Sequence, residues 1–353
     1  MITVIHFVVP GDIDDRSVPS GGNVYDRRMG TALGAREVAV TGTWPTPDDT
    51  ARQELANVLA GFDDDATVLI DGLVACGVPE VVAAHAQRLR LAVLVHLPLA
   101  DETGLVPDLA ADLDARERQT LRAATMVITT SPWAARRVVS HHGLDASRVH
   151  AAPPGTDPAP LALGSDGGTR LLCVAAVTRR KGQDRLVEAL AQVRDLPFSC
   201  ELVGSLRRDS EFVLRLNAMI KEHGLVDRIT LAGPKTGAEL DAAYAAADLF
   251  VLPSHTETYG MVLTEALARG LPVLATNVSA IPETVGQAPD GTVPGILTWQ
   301  FADALRSFLT DEDLRERLRA SAHARRATLT DWDTAALHLR DVLAELEEPA
   351  CRT

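Results

Sequence analysis

Short apolar runs recur along the chain, each ending at Gly, Pro or a polar turn and each followed by a stretch with helical spacing. Residues 2–9, 38–41, 68–71, 89–99, 126–130 and 149–152 read as strands. Helices are predicted to begin near Asn23 and to span 49–59, the stretch from 117 that ends before strand 126–130, and SPWAARRVVSHHG. A segment rich in Pro, Gly and Ser, residues 157–169, reads as a linker. The alternation then starts afresh with strands at 170–177, 199–205, 228–234 and 248–253 and the apolar PVLAT, separated by helical stretches such as QDRLVEALAQV and 209–223. Two amphipathic helices, LRERLRASAHARR and AALHLRDVLAELEE, close the pattern. This repeated alternation predicts an α/β fold of two Rossmann-like domains, 1–160 and 161–353, facing one cleft, with the last helix able to pack back on the first domain.

A length of 353 residues with 46% hydrophobic content suits two ordinary cores. No run of eighteen or more apolar residues occurs, and MITVIHFVVP reads as a first strand rather than a signal peptide, so a cytoplasmic protein without a transmembrane segment is expected. Cys76, Cys173, Cys200 and Cys351 form no C-x-x-C pair and read as thiols of a reducing compartment, the first three buried. A net charge of −14 argues against nucleic acid and anionic lipid as partners. Lysine occurs only at positions 181, 221 and 235 in a chain that otherwise writes arginine, which singles out Lys181 in the turn TRRKGQD.

The candidate chemistry centres on PSHTETYGMVLTEALARG, residues 253–270. A buried strand stops at Pro253 and a helix follows, so the amides of Tyr259, Gly260 and Met261 sit at a helix start, where unpaired donors and the macrodipole favour anionic groups. Gly260 permits close approach of a ligand. Glu257 in the loop and Glu265 on the helix are placed to meet opposite ends of one elongated ligand. Arg179, Arg180 and Lys181 form a cationic turn that suits a diphosphate. In the first half, Gly21 and Gly22 precede a helix, and His96 stands at the carboxyl end of a strand. The D-x-D-like pairs at residues 12–14, 63–65, 112–114 and 311–313 lie in polar turns or helix beginnings and read as caps or solvated acids, so no metal site is expected.

The spacing Glu257-x7-Glu265, within a strand, proline, Ser-x-x-Glu-x-Tyr-Gly frame, resembles the donor site of glycosyltransferase family 4, the retaining group 1 enzymes of the GT-B fold. The likeness is densest from residue 172 to 283. It implies a nucleoside diphosphate sugar as co-substrate, no cofactor, and retaining, metal-independent transfer to an acceptor on the first domain. Glu265 would hold the ribose and Glu257 would lie against the sugar, while Thr258, Tyr259, Gly260 and Met261 contact sugar and phosphate. His96 matches a histidine that hydrogen-bonds the sugar, Gly21 and Gly22 a loop over the diphosphate, and Lys181 a phosphate-binding lysine. Ala176 stands where the family has an arginine, leaving Arg179 or Arg180 to supply that charge. The first 160 residues carry 13 basic and 21 acidic side chains, 13 − 21 = −8, which favours a soluble small-molecule acceptor over a lipid. Two alternatives stand beside this reading: a GT-B epimerase or phosphorylase, and an inactive nucleotide-sugar-binding partner subunit. Neither the nucleobase nor the oligomeric state is legible.

Overall fold

The computed structural model describes residues 4–15, 20–165 and 167–346. Contacts divide the chain into two compact units, one built mainly from residues 20–155 with the first strand and the C-terminal helix, the other from residues 156–331.

The first unit holds a six-stranded parallel sheet of β1 (Ile5–Pro10), β2 (Arg36–Val40), β3 (Thr67–Asp71), β4 (Arg90–Val95), β5 (Met126–Thr129) and β6 (Val149–Ala151), in the order β2-β1-β3-β4-β5-β6. β3 and β4 are almost wholly buried runs, as strands covered by helices on both faces must be. The apolar sequence through residue 99 predicts a longer β4. Instead the strand ends at Val95, and a single 3-10 turn, Leu99–Asp101, carries the rest, because Leu99 is buried by packing and not by strand pairing. The helix expected from residue 117 starts ten residues earlier, as Pro107–Ala123, with proline at its first turn, where a missing N–H costs nothing. Helix Trp332–Ala344 packs on helix Gly21–Leu33 in this unit; Arg340 donates to the Ala32 and Leu33 carbonyls that end the latter.

The second unit holds β7 (Arg170–Val174), β8 (Ser199–Val203), β9 (Ile229–Gly233), β10 (Leu249–Leu252), β11 (Val273–Ala275) and β12 (Gly295–Leu297), all parallel, in the order β12-β11-β10-β7-β8-β9. Helix Gln183–Gln192 buries Leu186, Val187 and Leu190 against β7 and β8, an apolar stripe at helical spacing. Each such side chain contributes about 1.5–3 kcal/mol of transfer free energy. The sequence reading leaves out β12, which is only three residues long and begins with glycine, and helix Phe301–Thr310, although its buried Phe301, Ala304, Leu305 and Phe308 stand at helical spacing. Cys76, Cys173 and Cys200 are buried free thiols, and burial pushes Cys173 up to about 12, as expected of packing residues; Cys351 lies outside the described residues.

The stretch read as a linker is instead fastened to the second unit. Ala162 N–H donates to the Arg269 carbonyl, and Leu163 and Gly164 N–H to Ala245. Asp248, 1% exposed, accepts from Ser165 N–H at 2.7 Å, Ser165 Oγ at 2.6 Å and Arg170 N–H at 2.8 Å. Its carboxylate thus satisfies the backbone of the segment that enters β7. Replacing it strands those donors, so Asp248→Ala is expected to lower the unfolding free energy by about 2–5 kcal/mol in urea melts. A loss below about 1 kcal/mol would show that the segment is not held this way.

Candidate functional site

In the second sheet β7 and β10 lie side by side at the point where the strand order reverses, and in open α/β sheets the crevice at the carboxyl ends of such strands receives ligands. β7 runs through residues 175–178 into the 3-10 turn Arg179–Lys181; β10 runs into loop 253–260 and helix Met261–Ala268. Gly182 lets the two turns touch. It has φ 66°, and a Cβ there would lie 2.3 Å from the Pro253 carbonyl oxygen, so no larger residue fits without displacement. His255 N–H then donates to the Arg180 carbonyl at 2.8 Å. Further bonds fix the loop: Thr276 Oγ1 to the Ser254 carbonyl at 2.6 Å, Ala280 N–H to that of Glu257 at 3.1 Å, and Thr284 Oγ1 to that of Tyr259 at 2.7 Å.

This scaffold brings Lys181 onto Glu257. The ammonium donates to Glu257 Oε1 at 2.5 Å, Ser254 Oγ donates to the same oxygen at 2.6 Å, and Arg180 lies 3.9 Å from Oε2. Burial pushes the Glu257 carboxyl up, but Lys181 and Arg180 outweigh it and hold the group below the ordinary range. Glu257 is therefore not an open acceptor at the loop mouth; it is 4% exposed and already carries two internal bonds. The two arginines of the turn separate. Arg179 faces outward to Glu211 at 2.7 Å, whereas Arg180 donates to the Thr256 carbonyl at 3.3 Å and stays beside Glu257.

Helix Met261–Ala268 starts from Gly260, φ 89°, without a side-chain cap, and Tyr259, Gly260 and Met261 are all partly exposed there. Glu265, one turn in, accepts from the Tyr244 hydroxyl at 2.8 Å. Burial raises its carboxyl above the ordinary range, against the opposing pull of Tyr244 and Arg269. Arg269 lies over the Tyr244 ring at 4.5 Å and donates to the Glu265 carbonyl at 3.0 Å, so the carboxylate has a rigid aromatic and cationic backing. Sequence reasoning missed Tyr244, which reaches Glu265 only after folding, and Arg269, which the i+4 spacing from Glu265 could have signalled.

In the first unit, helix Gly21–Leu33 includes both glycines that were expected to precede it. A Cβ on Gly22 would lie 3.2 Å from the His96 ring, so its lack of a side chain admits the imidazole. His96 Nε2 is 2.7 Å from Asp26 Oδ1 and 3.4 Å from Asp71 Oδ2, with both carboxylates buried. Burial alone would lower the imidazole pKa; the carboxylates, Asp26 first, reverse this and push it up to about 10. Burial pushes Asp26 up to about 8, against the pull of His96. At Asp71 burial is outweighed by hydrogen bonds from His96, and the group lies below the ordinary range. Neither acid was singled out in the sequence, although Asp71 ends an apolar strand as His96 does.

Two groups of described residues bring potential metal-ligand atoms within 4.8 Å of one another: Asp26, Asp71 and His96, and Asp114, His141 and His142. In both, each residue makes at least one hydrogen bond or ion pair, although Asp26 Oδ2 and His142 Nδ1 are buried without a hydrogen-bond partner. Asp114 binds His141 and Arg118, and buried His142 lies 3.3 Å from Glu117. Of the remaining acids in D-x-D-like pairs, Asp112 pairs with Arg116 at 2.8 Å, Asp14 pairs with Arg27, and Asp311 caps helix Glu312–Arg326 through Leu314 N–H. No helix among the described residues is long and apolar enough to cross a membrane.

Residues 162–325 match the family model described as glycosyl transferases group 1. The chain is 34% identical over 242 residues to a D-inositol 3-phosphate glycosyltransferase of Pseudarthrobacter chlorophenolicus, covering 64% of this chain and 57% of the relative. The protein of the same name from Mycobacterium tuberculosis H37Ra is 31% identical over 274 residues, covering 72% and 54%. The chain thus spans less than two thirds of the length of these relatives. Among solved structures it is similar to a sucrose-phosphate synthase of Thermosynechococcus elongatus, with TM-score 0.78, 23% identity, and 98% and 99% of the two chains covered. It is also similar to Anabaena HepE solved with UDP-glucose, with TM-score 0.74, 19% identity, and 97% and 99% covered. These likenesses establish the fold, GT-B, with its two Rossmann-like units.

The first-unit cluster gives a pH prediction. His96 is protonated up to about 10 in the fold against an ordinary 6.5, so its contribution to stability is complete below pH 6.5 and lost as pH rises toward 10. Asp26, raised from 3.8 to about 8, adds to the same loss over its own window, while Asp71, lowered, completes its change below 3.8. Wild-type stability is expected to fall between about pH 7 and about pH 10 by on the order of 1–3 kcal/mol more than that of His96→Gln. Denaturant melts at the two pH values measure the difference, and equal slopes would contradict the charge assignment.

Proposed function

We propose that this chain, whose residues 162–325 belong to the group 1 glycosyl transferases, transfers a sugar from a nucleoside diphosphate sugar to a small-molecule acceptor, with retention of anomeric configuration and without a metal ion. The observation that carries this reading is the cluster of Arg180, Lys181 and Glu257 at the reversal point of the second sheet, beside an uncapped helix start. A departing nucleoside diphosphate gains negative charge as the sugar bond breaks, and two cations with a helix N-terminus offset that charge where it develops. Glu257 fixes the Lys181 ammonium before any ligand arrives, so little side-chain freedom is lost on binding. Arg180 takes the part for which Ala176 has no side chain; Arg179, committed to Glu211, does not. Glu265 accepts the ribose hydroxyls, with Tyr244 and Arg269 behind it.

Retention requires that the acceptor attack from the face the diphosphate leaves. The leaving phosphate itself takes the acceptor proton there, and no side chain of the second unit serves as base. Glu257, engaged with Lys181 and Ser254, is better suited to fixing that ammonium and orienting the sugar than to removing a proton. The name of the relatives makes a phosphorylated polyol the first acceptor class to try, and the neighbour solved with UDP-glucose makes uridine the first base.

The test is a calorimetric panel of UDP, GDP, ADP and dTDP with their sugar conjugates, using wild type, Glu265→Ala and Lys181→Ala. One nucleotide is expected to bind, and each substitution to weaken it roughly 10–100-fold, as loss of a charge-assisted bond does. Binding of none, or binding indifferent to both substitutions, would remove the donor site from this crevice. Because burial raises the Glu265 carboxyl above 4.5, affinity for the bare nucleoside should increase with pH as that group ionises and accepts more strongly. Titrations at pH values from about 4.5 upward check this, with Glu265→Gln expected to give a flat profile.

A further inference from the structure

The first sheet has its own reversal point, between β1 and β3, and there Asp26 from helix Gly21–Leu33, Asp71 at the end of β3 and His96 just past β4 come together. Asp71 has a structural task, since its Oδ1 accepts Leu73 N–H at 2.6 Å and caps helix Gly72–Ala75. Asp26 has no such task. It is 1% exposed on the packed face of a helix, where an apolar side chain would cost far less to bury. Its Oδ1 makes the short bond to His96 Nε2, and its Oδ2 is buried without a hydrogen-bond partner. Tyr25, the next residue toward the N-terminus, packs its ring edge-on to His96 at 5.1 Å and donates its hydroxyl to the Ala152 carbonyl, so it confines the imidazole without competing for Nε2.

We propose that Asp26 is a positioning residue for His96, holding the ring through a protonated Nε2 so that His96 acts as a fixed hydrogen-bond donor and not as a base. Among the described residues, the titratable groups recorded against the ring are Asp26 from its helix and Asp71 from the end of β3, with the Tyr25 phenol kept protonated by burial. The three groups titrate as one coupled cluster, in which the two carboxylates favour a proton on the ring. The consequence for sugar transfer rests on the proposed function, in which His96 contacts the sugar; the state of the ring does not.

The deciding measurement is a pH titration of the His96 ring signals by NMR in wild type, Asp26→Asn and Asp71→Asn. Asn keeps an oxygen that accepts from Nε2–H but removes the charge. The wild-type ring is expected to remain protonated at about pH 8, and Asp26→Asn to lower its midpoint by at least about one pH unit, a tenfold loss of proton affinity. A wild-type midpoint at or below 6.5, or one that Asp26→Asn leaves in place while Asp71→Asn lowers it, would overturn the proposal. Should Asp26→Asn fail to fold, the wild-type titration still decides: a midpoint above about 8 supports the assignment and one near the ordinary histidine value sinks it. With substrates in hand, Asp26→Asn should lower kcat more than it changes KM. Failure of the nucleotide panel would remove the donor site yet leave the ring titration as it stands, so the two readings fail separately.

Discussion

The ion pair between Lys181 and Glu257 sets the terms for the second unit. Two charges that far from water are costly unless each is paired and hydrogen-bonded, and here Ser254 and Arg180 complete the set. The pair forms only if the turn after β7 and the loop after β10 approach within van der Waals contact, which is why Gly182 has no side chain. Threonine hydroxyls and backbone amides of residues 276–284 then hold the loop from its other side.

Both sheets obey the same rule with different chemistry. Each reverses strand order once, and each gathers a cluster of buried ionisable groups at the carboxyl ends of strands at or next to that point. In the second unit the result is a cationic cluster beside a helix N-terminus, suited to a leaving group that gains negative charge. In the first it is a histidine held between two acids, which suits a directional hydrogen bond to a neutral hydroxyl. Burial raises both carboxyls and lowers the imidazole, and the neighbours decide the outcome: cations hold Glu257 below its ordinary range, carboxylates lift His96 above its own, and at Glu265 burial prevails and leaves the group raised.

Long apolar runs such as β3 and β4 are legible because a strand buried on both faces has no alternative to near-continuous hydrophobicity. Three-residue β12 and the four- and five-residue helices Gly72–Ala75 and Pro79–Ala83 are not, since periodicity needs more residues to show. The residues 157–169 have the composition of a linker, but backbone donors bind wherever an acceptor is offered, and Asp248, 78 residues or more away in sequence, offers one. Among the arginines of the turn, adjacency made Arg179 and Arg180 equivalent; the position of Glu211 on a following helix separated them.

The sequence by itself determined the alternation of strand and helix, the turns that require glycine, and the motif of Glu257 and Glu265, because these depend on local spacing and on the conformational freedom of single residues. Only the tertiary structure decided that Glu257 is spent on Lys181, that Tyr244 stands behind Glu265, and that Asp26 and Asp71 flank His96. The physical reason is range. Backbone preference acts over a few residues, whereas the charge state and orientation of a buried side chain are set by whatever the fold brings within about 4 Å of it.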